Sequence, residues 1–380
     1  MEEQDGTKII LIGQEDMGFM NDEFYMQLAL KNAQAMKGQT DPNPLVGAVI
    51  VNDNRILGVG AHMKAGEPHA EIHALRMAGD HAKGATIYVT LEPCSHHGRT
   101  GPCAVALVEA GVKKVVIATL DPNPVVAGNG VKILKDAGIE VVIGVCEEES
   151  RQMNEVFNKF IVEKKPFVTL KAATTLDGKT ATHTASSKWI TAPDARHDVH
   201  QLRSENMAIL VGVNTVVEDN PELTSRIPNG RNPIRVILDS KLRIPLDAKV
   251  VTDQQAETWV FTSESYDNEK RKQLEDRGIS VFSTSGSRQV DPEEVMKTLG
   301  EKLVSSVLIE AGGTINAALF EKKLIDKVVL YMAPKLVGGQ SAPTFLEGTG
   351  VAEMGNAVEL ANLCVTPIGQ DYKFTGYPIY

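Results

Sequence analysis

The chain has 380 residues, 42% of them hydrophobic and 23% charged, with a formal net charge of −10, which suits two ordinary domains with separate cores. That acidity excludes a duplex nucleic-acid surface, because neutralising phosphates takes clustered Lys and Arg, yet it leaves room for a local basic pocket that holds a small anion. Four cysteines, two of them isolated at Cys146 and Cys364, make no disulfide framework and point to a reducing cytoplasm; the early apolar run "IILIG" is far below the ~18 residues of a membrane span.

Residues 1–19 are acidic and poorly patterned, and read as an N-terminal extension. The segment "MNDEFYMQLALKNAQAM" then predicts a helix, with Met26, Leu30 and Ala33 at helical spacing. "LVGAVIVND" and "RILGVGA" read as two strands joined by a polar turn at Asn52 to Asn54. A helix follows Pro68, a strand covers "ATIYVTLE", a helix follows Pro102, and "KKVVIATL" is a buried strand. A further helix and "IEVVIGV" complete a helix-sandwiched sheet. "EEESRQMNEVFNKFIVEKK" reads as a closing helix stopped by Pro166. The expected domains are therefore 20–165 and 166–380. The second begins with "PFVTLKAA" and runs through "MAILVGV", "PIRVILDS", "TWVFTS", "SSVLIEAGG" and "DKVVLYMAPK", a different α/β pattern with no internal repeat.

The densest chemistry lies in "GEPHAEIHA" and "TLEPCSHHGRTGPC". Pro68 suits the first turn of a helix, which places His69 and Glu71 in that turn. Cys94 follows Pro93 at a strand end, and Cys103 follows Pro102 at a helix start, where the helix field favours thiolates. One imidazole and two thiolates supply three tetrahedral zinc ligands and leave a fourth position for water, the pattern of a catalytic zinc. Zinc brings the pKa of water toward ~7, and Glu71 is the candidate proton shuttle. His-x-Glu followed by Pro-Cys and a second Cys is the signature of zinc nucleobase deaminases, whose glutamate is acid/base and not a ligand. A structural zinc would need a fourth protein ligand, for which His73, His96 and His97 are the candidates.

Eight residues separate Cys94 from Cys103, where common cytidine deaminases have two. This spacing and the surrounding letters resemble the bifunctional riboflavin-biosynthesis deaminase/reductase family. The resemblance extends to "NPLVGAVIV", "GAHMKAGEPHAE" and "DPNPVVAGNG", and in the second half to "LKAATTLDGKTA", "SSKWIT", "ILVGVNTVVEDNPELTSR", "IEAGGT" and "YMAPKLVGG". It implies a cytidine-deaminase-like α/β/α sandwich followed by a dihydrofolate-reductase-like α/β domain. It also implies zinc-dependent deamination of a phosphorylated pyrimidine, then NADPH-dependent reduction of its ribosylamino group.

By the same resemblance, Asn43, His62 and Lys64 contact the deaminase substrate. Ala173, Trp189, Thr215, Asp219, Ser240 and the loop Gly312, Gly313, Thr314, Ile315, Asn316, Ala317 and Ala318 contact NADPH. Ser187, Arg203, Leu223, Arg226 and Glu310 hold the reductase substrate. Part of this has independent physical sense. Glycines at a strand-to-helix turn let backbone N–H groups approach a phosphate, and Arg203 and Arg226 suit a sugar phosphate. The resemblance further implies a homo-oligomer built through the reductase domain. Two rival readings are another zinc deaminase whose second domain binds without reducing, and a non-enzymatic, zinc-stabilised assembly module.

Overall fold

The computed structural model describes residues 21–95, 101–123, 127–286 and 288–380; the extension 1–19 and the candidate ligands His96 and His97 lie outside the described residues. The chain forms two compact units, one ending at Met153 and the other comprising Lys37–Pro44 and Asn154–Tyr380.

In the first unit, α1 (Asp22–Gln34) is capped by Asn21, whose side-chain oxygen accepts from the Phe24 N–H at 2.9 Å. Its buried stripe of Tyr25, Met26, Ala29, Leu30 and Ala33 packs on Val49 and Val51 of β1 (Gly47–Asn52). The strand β2 (Arg55–Ala61) returns antiparallel through Asp53 and Asn54, at φ 46° and 61°, the left-handed pair that a two-residue hairpin requires.

The helix α2 (Ala70–Ala78) covers β2. A Cβ at Gly60 would lie 2.1 Å from the Ala70 carbonyl oxygen, and one at Gly58 would lie 2.2 Å from that of Ala74. The two glycines thus let the helix seat directly on the strand. Gly60→Ala is expected to cost roughly 1–3 kcal/mol through overpacking, read from urea unfolding, and to lower zinc retention because His69 rides on the displaced helix start.

Completing this unit are β3 (Thr86–Leu91), α3 (Cys103–Glu109), β4 (Lys114–Thr119), α4 (Asn129–Asp136), β5 (Glu140–Ile143) and α5 (Glu147–Met153). The sheet order is β2-β1-β3-β4-β5, with β3, β4 and β5 parallel. The loops that follow β3 and β4 leave from the carboxyl ends of parallel strands, where α/β sheets bind ligands.

The single closing helix expected up to Pro166 is instead two. Helix α5 is tied to the first unit by the Ser150 hydroxyl, which donates to the Thr90 carbonyl at 2.7 Å. After Asn154, α6 (Glu155–Glu163) belongs to the second. Its Lys159 pairs with Asp326 at 2.6 Å, and its Glu155 accepts from Lys327 and from the Tyr377 hydroxyl, both at 2.7 Å. By compactness the chain divides at Met153/Asn154, ahead of the expected domain boundary at 165/166, because these partners, distant in sequence, hold α6.

The second unit continues with β6 (Phe167–Thr175), α7 (Pro193–Glu205), β7 (Ala208–Gly212), α8 (Val213–Asp219), β8 (Ile234–Leu238), α9 (Lys249–Thr252), β9 (Thr258–Thr262), α10 (Asn268–Glu275) and β10 (Ser280–Ser283). Next come α11 (Pro292–Glu301), β11 (Ser306–Ile309), α12 (Gly313–Glu321), β12 (Lys327–Ala333) and the hairpin β13 (Glu359–Ile368) and β14 (Asp371–Ile379). The nine strands are ordered β10-β9-β8-β7-β11-β6-β12-β14-β13, parallel from β10 through β12 and antiparallel beyond.

Successive residues face opposite layers. Leu210 and Val236 pack with Val295 and Leu299 of α11 and Leu319 of α12, whereas Ile209, Val211 and Ile237 pack with Val216 of α8, Val250 of α9 and Leu274 of α10. The sequence reading omitted β10 and the terminal hairpin. Four-residue β10 carries too little pattern, and β13 is exposed along most of its length.

Candidate active sites

In the first unit, three chain turns bring one donor each to a single point. His69 is the N-cap of α2 rather than a residue of its first turn, Cys94 follows β3, and Cys103 opens α3 behind Pro102. His69 Nδ1 lies 3.5 Å from Cys94 Sγ and 3.4 Å from Cys103 Sγ. All three donor atoms fall within 4.8 Å of one another, and no other such group occurs among the described residues. Tetrahedral zinc with bonds of about 2.0 Å to nitrogen and 2.3 Å to sulfur needs nitrogen–sulfur edges of roughly 3.5 Å. The donor set and its spacing therefore fit zinc. His73, the fourth-ligand candidate within the described residues, is outside this group, and its Nε2 is buried without a partner.

The donor set concentrates charge on sulfur. The Cys103 thiol and backbone N–H and the His69 ring stabilise a thiolate at Cys94, holding it down to about 4, while the same pairing and burial push Cys103 up. Glu71 sits in the first turn of α2, 3% exposed, with Oε2 buried and unpartnered. Burial pushes its carboxyl up to about 7, the range where one group can both take and give a proton near neutrality. His62 is buried edge-on to the His69 ring at 5.3 Å, with its Nδ1 3.3 Å from the Pro68 carbonyl. Lys64 is exposed. Asn43 lies in Lys37–Pro44, which groups with the second unit.

Glu92 is a residue that the sequence reading missed. Its carboxylate accepts from the N–H groups of Gly130 and Val131 on one oxygen, at 2.9 and 3.2 Å, and from Gly128 and Asp121 on the other, at 2.9 and 3.3 Å. One buried side chain thus caps α4 and joins "TLEPC" to "DPNPVVAGNG", of which Pro124, Val125 and Val126 lie outside the described residues. Glu92→Ala is expected to cost about 2 kcal/mol or more in urea unfolding, since it orphans buried N–H groups. Glu92→Gln should recover only part of this, because an amide offers one acceptor oxygen.

In the second unit, Glu310 follows β11 and is 9% exposed at its side chain. Arg203 of α7 grips it with two bonds, Nε to Oε1 at 2.7 Å and Nη2 to Oε2 at 3.0 Å, and Lys171 of β6 adds a third at 3.2 Å. Burial alone would raise Glu310, but Arg203 and Lys171 hold it well below the usual carboxylate range. Arg203 also donates to the Thr224 carbonyl at 3.1 Å. The sequence reading gives Arg203 a sugar phosphate; the structure commits its fork to Glu310, a partner 107 residues away. Lys171 escaped notice because a lone lysine inside "VTLKAATT" reads as a solvated strand residue.

Arg226 remains exposed beside this cluster, donating to His200 Nε2 at 3.2 Å. Burial and the charges of Arg203 and Arg226 hold His200 down to about 4. Leu223 is buried in the apolar layer at φ 55°, so only its backbone is placed to meet a ligand. Ser187 is half-buried.

Gly312 is the N-cap of α12 with no side-chain cap bond, leaving the helix start open to an anion. Thr314 turns to Glu347 at 3.1 Å, while buried Asn316 donates to the Ala311 and Phe345 carbonyls at 3.2 and 2.7 Å, a structural clamp. Gly313 has no room for a Cβ, which would lie 2.6 Å from the Thr344 oxygen. Ile315 packs over Gly212, and Ala317 is buried while Ala318 is exposed. Ala173 lies on β6, Thr215 and Asp219 on α8, and Asp219 meets Lys188 at 3.3 Å. Trp189 is 63% exposed, with the Arg196 guanidinium 4.5 Å over its ring. Asp177, also missed, accepts from the N–H groups of Val337 and Gly338 at 3.2 and 2.7 Å, so "LDGK" and "KLVGG" form one structure.

Residues 20–119 match the family model described as the cytidine and deoxycytidylate deaminase zinc-binding region, and residues 166–374 match that of the RibD C-terminal domain. The chain is 46% identical to riboflavin biosynthesis protein RibD of Bacillus amyloliquefaciens over 94% of its own length and 96% of that protein's. It is 44% identical to the Escherichia coli protein of the same name, covering 85% of this chain and 90% of that one. Among solved structures, it superposes on Acinetobacter baumannii RibD with a TM-score of 0.85 at 42% identity, covering 94% and 99% of the two chains. A Thermotoga maritima diaminohydroxyphosphoribosylaminopyrimidine deaminase/5-amino-6-(5-phosphoribosylamino)uracil reductase gives a TM-score of 0.82 at 36% identity, with the same coverage.

Proposed function

The chain belongs to the RibD family of riboflavin biosynthesis proteins and is a bifunctional deaminase/reductase, and on that premise we propose how its residues divide the two reactions. The first unit hydrolyses an amine of diaminohydroxyphosphoribosylaminopyrimidine to a carbonyl and ammonia. The second reduces the resulting 5-amino-6-(5-phosphoribosylamino)uracil to its ribitylamino product. The observation that carries the reading is one imidazole and two thiols converging beside a buried, unpartnered carboxylate.

His69, Cys94 and Cys103 are the residues that would hold zinc. When bound there, zinc supplies the Lewis acidity that makes water nucleophilic near neutral pH. Glu71 takes the proton of the attacking water on its buried oxygen, delivers it to the pyrimidine ring nitrogen, and carries the next proton to the leaving amine. Burial keeps Glu71 competent in both directions. His62 walls the pocket, Lys64 offers a charge to the 5′-phosphate, and Asn43 offers its amide to the pyrimidine edge.

In the second unit, NADPH when bound would supply a hydride to the ribose carbon that bears the amine, as that carbon's bond to the ring oxygen opens and the oxygen takes a proton. The open start of α12 at Gly312 to Ala318 takes the dinucleotide phosphates, Trp189 forms a flat wall, and Ala173, Thr215, Asp219 and Ser240 complete that site. Glu310, fixed as a carboxylate by Arg203 and Lys171, accepts bonds from the sugar hydroxyls. Arg226, exposed and 3.6 Å from Glu222, offers its guanidinium to the phosphate, with Ser187 and the Leu223 backbone lining the same substrate. NADPH oxidation strictly dependent on the deaminated intermediate tests this assignment; binding without oxidation would reduce the second unit to a binding domain.

The chain also assembles with copies of itself through the second unit. In support, β13 is a sheet edge with exposed Leu360, Leu363 and Val365, a surface that isolated chains usually blunt. Leu363→Lys is expected to shift the mass measured by light scattering toward that of one chain. None of the four cysteines is in a disulfide, which fits the cytoplasmic location proposed here, and no described helix is long and apolar enough to cross a membrane.

A further inference from the structure

Helix α7 does more in the second unit than deliver Arg203, because the turn 223–226 is latched onto it at three points. Arg203 Nη1 donates to the Thr224 carbonyl at 3.1 Å, the Ser225 hydroxyl donates to the His200 carbonyl at 2.9 Å, and the Arg226 guanidinium donates to the His200 ring. The last latch has two prongs. Arg226 Nε lies 3.2 Å and Nη2 3.1 Å from His200 Nε2, so one ring nitrogen faces the side edge of the guanidinium. Arginine only donates, so Nε2 carries the lone pair and the ring proton sits on Nδ1. The groups around the ring keep it so. Arg203 and Arg226 oppose a second proton; Glu310 and the Thr224 carbonyl favour one, but Glu310 is already matched by Arg203 and Lys171. Glu222 competes weakly for Arg226. Its Oε2 lies 3.6 Å from Nη1, beyond hydrogen-bond distance, while its Oε1 takes Lys249 at 3.1 Å, and an exposed pair at that range fixes little. The end edge of Arg226, Nη1 and the second N–H of Nη2, is thus left without a hydrogen-bonded partner among the described residues.

We infer that His200 is a positioning residue of the reductase, whose Nε2 holds the side edge of Arg226 so that the end edge is set for the substrate's 5′-phosphate. The inference rests on the reading of Arg226 as the phosphate contact. An end edge presents two parallel N–H donors, the bidentate form that phosphate oxygens accept. A loose arginine would lose its rotamer freedom at each binding event, whereas one already gripped by the ring loses less. The grip needs an acceptor at this position, because a cation there would face two guanidinium groups. His200 and Arg203, three residues apart on α7, share a face of the helix. One helix face therefore fixes Glu310 through Arg203 and the phosphate contact through His200.

The test measures kcat and KM of the full-length enzyme for 5-amino-6-(5-phosphoribosylamino)uracil and for its dephosphorylated counterpart, in wild type, His200→Ala, His200→Gln, Arg226→Ala and the variant carrying both alanines. His200→Ala should raise KM for the phosphorylated substrate roughly tenfold, the scale of one charge-assisted hydrogen bond, with the loss in KM rather than in kcat. His200→Gln, whose side-chain oxygen can take the place of Nε2 as acceptor, should recover most of it. With the phosphate gone from the substrate, or Arg226 gone from the protein, His200→Ala should cost nothing further; a merely structural histidine would cost the same in every case. Equal losses with and without the phosphate, or additive losses in the doubly substituted enzyme, overturn the inference. Calorimetric titration of ribose 5-phosphate against ribose separates it from the phosphate reading of Arg226. If Arg226→Ala bound ribose 5-phosphate as wild type does, that reading and this inference would fall together. If Arg226→Ala weakened it and His200→Ala did not, the reading would stand and this inference alone would fall.

Discussion

Glu71→Gln is expected to lower kcat for deamination by ~10²–10⁴-fold, the usual share of a positioned acid/base, while NADPH-dependent reduction of the deaminated intermediate continues at the wild-type rate. The glutamine keeps the shape but cannot carry a proton, and Glu71 is not among the three converging donor atoms. Metal analysis should therefore show zinc retained. The variant should also unfold no earlier than wild type, because Glu71 Oε2 is buried without a partner and its charged form is a cost to folding. Ammonia release, zinc content and the unfolding midpoint check the three parts separately. Loss of zinc would make Glu71 a structural support of the donor group instead of a proton carrier.

Glu310→Gln should abolish reduction, spare deamination, and destabilise the second unit by ~3–5 kcal/mol, since it leaves Arg203 and Lys171 buried around a neutral group. In a domain of this size that is roughly 10 °C in the unfolding midpoint. The sign of the pH dependence follows from the lowered carboxyl of Glu310. Its contribution is complete above the unfolded carboxyl pKa of ~4.3 and fades as pH falls toward the lower folded value. The stability gap between wild type and variant should accordingly be widest at neutral pH and close in strong acid. A gap that widened on acidification would mean that Glu310 is not held as a carboxylate.

The candidate zinc donors were legible in the sequence because each directly follows a proline at the edge of an element, so local spacing already placed the chemistry. The partners of Glu92 and Glu310 were not. Glu92 accepts backbone N–H groups from a loop whose letters carry no sign of the acceptor, and the Glu310 grip joins β11, α7 and β6 across the sheet. Long-range pairing of this kind leaves no periodicity. The same blindness merged α5 and α6 into one helix, because a 3.6-residue pattern does not record which core each turn faces. Fold class survived these errors, since alternating strand and helix signals fix the layers regardless of boundary.

A mass-spectrometric time course of the diaminopyrimidinone ribosyl phosphate with protein, zinc and NADPH tests the central claim most directly. The account predicts that the deaminated species appears first and is then replaced by its ribityl reduction product. Accumulation of the deaminated species alone would contradict the assignment of the second unit, and an untouched substrate with well-folded, zinc-loaded protein would contradict the reading of the first.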